Sequence, residues 1–126
     1  MPATADLHAL GQSLWLDNIT RTMLDDGTIQ LYIDECSVTG LTSNPSIFQK
    51  AIATGEEYTE QLADLVRGGA GIEDTYWDLV TDDISAALGL LRPLYDSSAG
   101  GDGYVSVEVA PNLARDTAAT MDAARV

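Results

Sequence analysis

Three short strand-like runs, set far apart along the chain, constrain its fold more than any other feature. They are SLWLD at 13–17, VTGLTS at 38–43 and YVSVEV at 104–109. SLWLD is too short and too apolar for a surface helix and reads as a buried strand. YVSVEV alternates and is rich in β-branched residues, a composition that suits a pleated, half-buried surface. The intervals between the runs carry helical periodicity. Strands that alternate with helices pair in parallel through crossover connections, so the chain reads as α/β.

Apolar spacing and its punctuation place the helices. Leu7, Leu10 and Leu14 suggest a short amphipathic opening helix over 4–11, ended by Gly11. Residues 19–25 look like one or two turns closed by Asp25-Asp26-Gly27. Thr28 suits the N-cap of a helix over 29–36, with Leu31, Tyr32 and Cys36 facing inward. A short helix is expected over 46–53, and another over 57–66 with a seam of Tyr58, Leu62 and Leu65. RGGAG at 67–71 is a break. Tyr76, Val80, Ile84, Ala87 and Leu91 recur at three- or four-residue intervals, which predicts the longest helix over 72–91. Pro93 is its expected stop, followed by the flexible loop DSSAGGDG. A final helix is expected over 113–126, with Leu113, Thr117, Met121 and Ala124 as its seam.

Side chains alternate across a strand, which sorts each run into two faces. In the first run, Leu14 and Leu16 oppose Trp15 and Asp17. In the second, Thr39, Leu41 and Ser43 oppose Gly40, Thr42 and Asn44. In the third, Val105, Val107 and Val109 oppose Tyr104, Ser106 and Glu108. Each strand thus offers one side to covering helices and carries polar groups on the other, near its carboxyl end. A sheet buried on both sides normally reads as continuous apolar residues. A carboxylate placed there costs several kcal/mol unless it is hydrogen-bonded or solvated at a site. Parallel α/β architectures build their sites at the carboxyl ends of strands. The candidate site is therefore Asp17, Thr42, Asn44, Ser106 and Glu108. Structural readings stand beside it: Asp17 suits an N-cap for the helix at 19, and Ser43 or Asn44 suits one for the helix at 46. Glu108 lies between two valines, where a purely structural glutamate is uncommon.

Size fits one domain with one core. Six basic residues against twenty acidic ones give a net charge of -14. Phosphate backbones and anionic lipid surfaces repel such a chain, which argues against nucleic acid and membrane as partners. Cys36 is the single cysteine, so no internal disulfide is possible, and a small core thiol in a reducing cytoplasm is expected. MPATADLHALGQ has neither the basic residue nor the apolar run of a secretory signal. No stretch approaches the about 18 apolar residues that cross a bilayer.

Several chemistries lack their residues. His8 is the only histidine and sits in the opening helix, so a Ser-His-Asp arrangement and a His-ligated metal site have no support. Gly68, Gly69 and Gly71 lack the preceding strand and following basic residue of a phosphate loop. Tyr76 and Trp77 read as core.

SLWLDNITRTMLDDGTI, VTGLTSNPSIFQKAI and DGYVSVEVAPNLARDT resemble the N-terminal part of bacterial transaldolases of the longer, pentose-phosphate type. The likeness covers nearly the whole chain and is weakest in the middle helices. TSNP after the second strand and SVEV in the third are its most specific motifs. It implies the N-terminal part of a (β/α)8 TIM barrel: about three parallel strands with covering helices, residues 1–126 forming an incomplete barrel domain. It implies transfer of a dihydroxyacetone unit from sedoheptulose 7-phosphate to glyceraldehyde 3-phosphate, giving erythrose 4-phosphate and fructose 6-phosphate in the pentose phosphate pathway. Sugar phosphates are the implied partners. A lysine Schiff base is the electron sink, so neither a metal nor an organic cofactor is implied.

At matching positions the resemblance implies roles. Asp17 takes the hydroxyl proton during C–C cleavage. Glu108 works through a water on the carbinolamine and imine steps. Thr42 and Asn44 hold the dihydroxyacetone hydroxyls and the water, and Ser106 joins the substrate-binding group. The family's Schiff-base lysine lies on a fourth strand, beyond residue 126, and its phosphate-binding arginine region lies further on. Lys50, the only lysine here, falls in the helix after TSNPS and reads as a solvated surface residue. No Schiff-base lysine, and no turnover, is therefore expected of these residues alone. Three strands cannot close a barrel, and their open edges predict marginal stability or self-association. Two other readings remain: a non-catalytic acidic α/β remnant or interaction module, and a fructose 6-phosphate aldolase-like relative.

Overall fold

The computed structural model describes residues 3–125. α1 (Ala3–Ala9) precedes β1 (Leu14–Leu16), and α2 (Arg21–Asp25) and α3 (Thr28–Cys36) lead to β2 (Val38–Thr42). α4 (Pro45–Thr54), a 3-10 turn (Glu56–Tyr58), α5 (Thr59–Arg67) and α6 (Ile72–Ser97) then lead to β3 (Tyr104–Ser106). A second 3-10 turn (Pro111–Leu113) and α7 (Thr117–Ala123) follow. The sheet order is β1-β2-β3 and both pairings are parallel. Every connection between strands is helical, as parallel neighbours require. The expected α/β arrangement of three parallel strands with helices is present.

Register decides which residues share a layer. Leu16 pairs with Leu41, and Leu41 with Val105. Leu41 belongs to the buried core with Ile19, Ile29, Phe48, Val80, Ile84, Ala87 and Leu91, and partly buried Leu16 and Val105 pack against it. Burying each large side chain contributes roughly 1.5–3 kcal/mol, and this core lies on one side of the sheet. On the adjacent rungs, Trp15 pairs with Gly40, Gly40 with Tyr104, and Thr42 with Ser106. Trp15 and Tyr104 are exposed.

β3 ends at Ser106, three residues before the expected Val109. β2 turns away into α4 after Thr42, so β3 has no ladder partner beyond Ser106. Val107 and Glu108 are accordingly exposed, and Glu108 does not stand on a strand face.

Pro93 does not stop α6, which runs on to Ser97. A proline inside a helix costs about 3 kcal/mol, by removing one N–H and crowding the previous turn. Pro93 and Gly89, whose carbonyl loses its helical partner, both face solvent. Water can take that carbonyl, while Leu91 and Leu94 pack into the core on either side of the proline.

Smaller differences have similarly local causes. Thr28 is the first residue of α3, not its cap; Gly27 holds that place at φ 82°, in the left-handed region. Asp26 Oδ1 accepts from the Thr28 N–H at 2.9 Å. Ile29 and Ile33, one turn apart, set the inward stripe of α3, which turns Leu31 outward and leaves Tyr32 and Cys36 half-buried. Tyr58 and Leu65 face inward from the α5 region, whereas Leu62 is exposed. α1 buries none of its residues, and Leu7 and Leu10 are exposed. α7 begins only at Thr117, where Asp116 Oδ1 accepts from the Ala119 N–H at 3.0 Å. Its expected seam is not buried, and Met121 is exposed.

Candidate functional site

The first candidates meet where β1 and β2 end. Asp17 follows directly on Leu16, the last residue of β1, and Thr42 is the last residue of β2. Thr42 Oγ1 donates to Asp17 Oδ1 at 2.6 Å, a short O–H···O hydrogen bond. Asp17 is free for this because it caps no helix: the Thr20 side chain accepts from the Met23 N–H at 3.2 Å and opens α2 at Arg21. Ser106 lies beside Thr42 in register. One residue further along, buried Ser43 donates its hydroxyl to the Ser106 carbonyl at 2.6 Å. That bond ties β2 to β3 beyond their last ladder pair.

Asn44 has a structural task. Its Oδ1 accepts from the Ile47 N–H at 2.9 Å, and Pro45 occupies the first turn of α4. Proline suits that position, where its missing N–H would have no helical partner. TSNPS is thus a strand end, a latch, a cap and a helix start in five residues. The cap uses the oxygen of Asn44 and leaves the two amide N–H donors for another group.

Glu108 stands two residues beyond β3. With Asn44, Pro45, Tyr76 and Trp77 it lines a narrow crevice. Pro45, Tyr76, Trp77 and Glu108 also border a groove of about 490 Å³ that reaches Ile72 on α6 and Pro111. Tyr76 and Trp77 meet edge to face, with ring centroids 5.2 Å apart. Burial first, and the Glu108 charge second, push the Tyr76 phenol above its ordinary pKa. The expectation that Glu108 shares a strand face with Ser106 is therefore corrected: its carboxylate lies toward the start of α6. The five candidates form two neighbouring groups, Asp17–Thr42–Ser106 and Asn44–Glu108, joined by the two-residue step from Thr42 to Asn44.

Residues 14–126 match the family model described as transaldolase/fructose-6-phosphate aldolase. The chain belongs to this family. It is 54% identical over 125 residues to a transaldolase of Thiobacillus denitrificans, covering 99% of this chain and 35% of that protein. It is 48% identical over 129 residues to transaldolase 1 of Streptomyces coelicolor, covering 98% of this chain and 34% of that one. A transaldolase of Mycobacterium tuberculosis is 45% identical over 123 residues, again with 98% of this chain and 33% of the relative covered. The chain spans about a third of the length of the curated relatives it matches.

One network in this transaldolase-family chain was missed by the sequence reading. Arg21 Nε meets Asp83 Oδ1 at 2.8 Å, and Arg21 Nη1 donates to Gln61 Oε1 at 2.7 Å. Tyr58 donates its hydroxyl to Asp83 Oδ2 at 2.6 Å and accepts from the Arg21 backbone N–H at 3.0 Å. Burial, followed by the bond to Asp83, holds the Tyr58 phenol far above its ordinary pKa. Arg21 lies four residues after Asp17, so the network pins the segment that carries the candidate acid/base to α5 and α6. A signal was available: Asp83 sits beside Ile84, three residues after Val80 and four before Ala87, on the stripe predicted to face inward. Among the described residues, no helix is long and apolar enough to cross a membrane.

Proposed function

We propose that this chain supplies the Asp17, Thr42, Asn44, Ser106 and Glu108 side of a transaldolase active site, in which a dihydroxyacetone unit passes between sugar phosphates. The observation that carries the reading is the 2.6 Å bond between Thr42 and Asp17 at adjoining strand ends, in a chain of this family. Held by Thr42, Asp17 takes the proton of the hydroxyl next to the breaking C–C bond. The electron pair of that bond needs an iminium as its sink. Lys50 is exposed on α4, away from the strand ends, so the proposed amine comes from a barrel strand beyond residue 126. Asn44 offers its two amide donors to substrate hydroxyls or a water, and Ser106 offers its hydroxyl beside Thr42. Glu108 moves protons through a water as the imine forms and hydrolyses. With only three strands, the residues described here are proposed to associate through the free edges of β1 and β3.

A chimera tests the reaction: this chain replaces the matching third of the Thiobacillus denitrificans relative. Fructose 6-phosphate and erythrose 4-phosphate are supplied, sedoheptulose 7-phosphate is measured, and borohydride traps any imine. Turnover and a trapped adduct are expected. Asp17→Asn is expected to lose turnover by roughly a hundredfold or more while still yielding the adduct, because cleavage and imine formation are separate steps. Glu108→Gln is expected to slow adduct formation itself. A folded chimera with neither turnover nor adduct overturns the proposal. An adduct on Lys50 overturns the placement of the amine. Repeated turnover of fructose 6-phosphate into glyceraldehyde 3-phosphate and free dihydroxyacetone without any acceptor sugar identifies an aldolase instead.

A further inference from the structure

Gly40 is the one residue of β2 without a side chain, and its backbone does not require it: its φ is not positive. What requires glycine is Trp15. A Cβ built on Gly40 would lie 2.6 Å from Trp15 Cε2 and 2.7 Å from Cδ2, far inside contact distance for a rigid ring. The indole therefore rests on bare backbone. Trp15 pairs with Gly40 across β1 and β2; Thr42 lies two residues further along β2, and Asp17, just past the end of β1, accepts from its hydroxyl. Two residues advance a strand by about 6.6 Å and return to the same face. The indole thus lies across β1 and β2 on the Gly40 rung, two residues before Thr42 on β2. Among the described residues it is 41% exposed.

We propose that Trp15 is a specificity-determining residue: its indole, seated on Gly40, floors the pocket beneath Asp17 and Thr42 and limits how far the carbon chain of a ketose phosphate descends between the strands. The assignment rests on the transaldolase reading above. A flat apolar floor gives the sugar's C–H surface a contact that is the same in ground state and transition state.

The chimera described above tests it, with fructose 6-phosphate as donor. Trp15→Ala removes the floor, and because floor contacts are made in ground state and transition state alike, KM rises roughly tenfold with kcat nearly unchanged. Trp15→Phe keeps a ring and gives a smaller rise in KM; it carries the test should Trp15→Ala fail to fold. Gly40→Ala acts in the opposite sense. Its methyl pushes the indole off the β2 backbone into the space a substrate would use, and kcat falls by roughly tenfold or more. Adding Trp15→Phe to Gly40→Ala makes room for the methyl and restores most of that kcat. A merely structural pair would lower kcat and thermal midpoint together in every variant and leave KM unmoved, which overturns the assignment. A double variant no faster than Gly40→Ala overturns it too. A parent chimera that folds without turnover or adduct overturns the reaction and this assignment with it, so the two failures are told apart by the parent alone.

Discussion

Arg21 and Asp83 form an ion pair 2.8 Å apart, with the aspartate side chain only 2% exposed and the arginine 15%. The guanidinium also lies over the Tyr58 ring, 4.5 Å from its centroid. Removing one partner of such a pair leaves the other charge buried and uncompensated, which costs about 3–5 kcal/mol. Arg21→Ala and Asp83→Ala are each expected to lower the urea midpoint accordingly. The double replacement Arg21→Met with Asp83→Leu should cost much less, because no charge is then stranded. Urea unfolding of the four proteins measures both effects. A double variant as unstable as the worse single one would contradict this account of the pair.

Tyr58 makes stability depend on alkaline pH. Its phenol is held above its ordinary value of 10.0 in the folded chain, and the unfolded chain releases the proton first. Below pH 10 both states hold the proton and the contribution is intact. As pH rises past the unfolded value, stability falls, by at most about 1.4 kcal/mol per pH unit. Tyr58→Phe removes that slope. It also strands Asp83 Oδ2 and the Arg21 N–H, so it should cost roughly 1–3 kcal/mol at neutral pH. Unfolding curves at pH 8, 9, 10 and 11 for both proteins give the comparison, and parallel pH profiles count against a buried neutral phenol.

The parts of the fold legible in the sequence were those with a local cause. The helix over Val80, Ile84, Ala87 and Leu91 follows from spacing alone, and the three strands from short apolar runs between helices. Strand ends were less legible, because they depend on a partner. YVSVEV alternates through Val109, yet β3 stops at Ser106 because β2 has already turned into α4. The same cause moved Glu108 off the sheet. Alternation singled out Asp17 and Thr42 at neighbouring strand ends, although β1 stops at Leu16, but nothing in the sequence announces that they touch. A cap from Ser43 or Asn44 was legible, and Asn44 is the residue that caps α4. Pro93 misled because its cost depends on which side of the helix it occupies. Arg21, Gln61 and Asp83 lie on three different helical segments, and no sequence period connects them.

The free edges of β1 and β3 carry a prediction about association. Each edge presents unpaired backbone N–H and C=O groups, a ready template for another chain, and Trp15, Tyr104 and Val107 are exposed near the sheet. The net charge of -14 opposes close approach of two copies. Salt should therefore promote association, since the Debye length falls from about 10 Å at 0.1 M to about 3 Å at 1 M. Sedimentation of the 126-residue chain at both salt concentrations is expected to show larger species at the higher one, with an unfolding midpoint that rises with protein concentration. Monomers at every concentration and salt would remove the edges as contact surfaces.

Asn44 allows structure and chemistry to be separated at one position. Its oxygen caps α4 and its amide nitrogen is free of that duty. Asn44→Ala removes both and should cost about 1 kcal/mol of stability. Asn44→Asp keeps an oxygen for the Ile47 N–H and adds negative charge at a helix start, which the helix dipole favours. Its stability should match or slightly exceed that of the parent. It has no N–H to give, however, so in the chimera kcat/KM should fall by roughly tenfold or more, the effect of one lost hydrogen bond in the transition state. A stable, fully active Asn44→Asp chimera would show that the residue serves only as a cap; a stable, crippled one shows that its nitrogen faces the sugar.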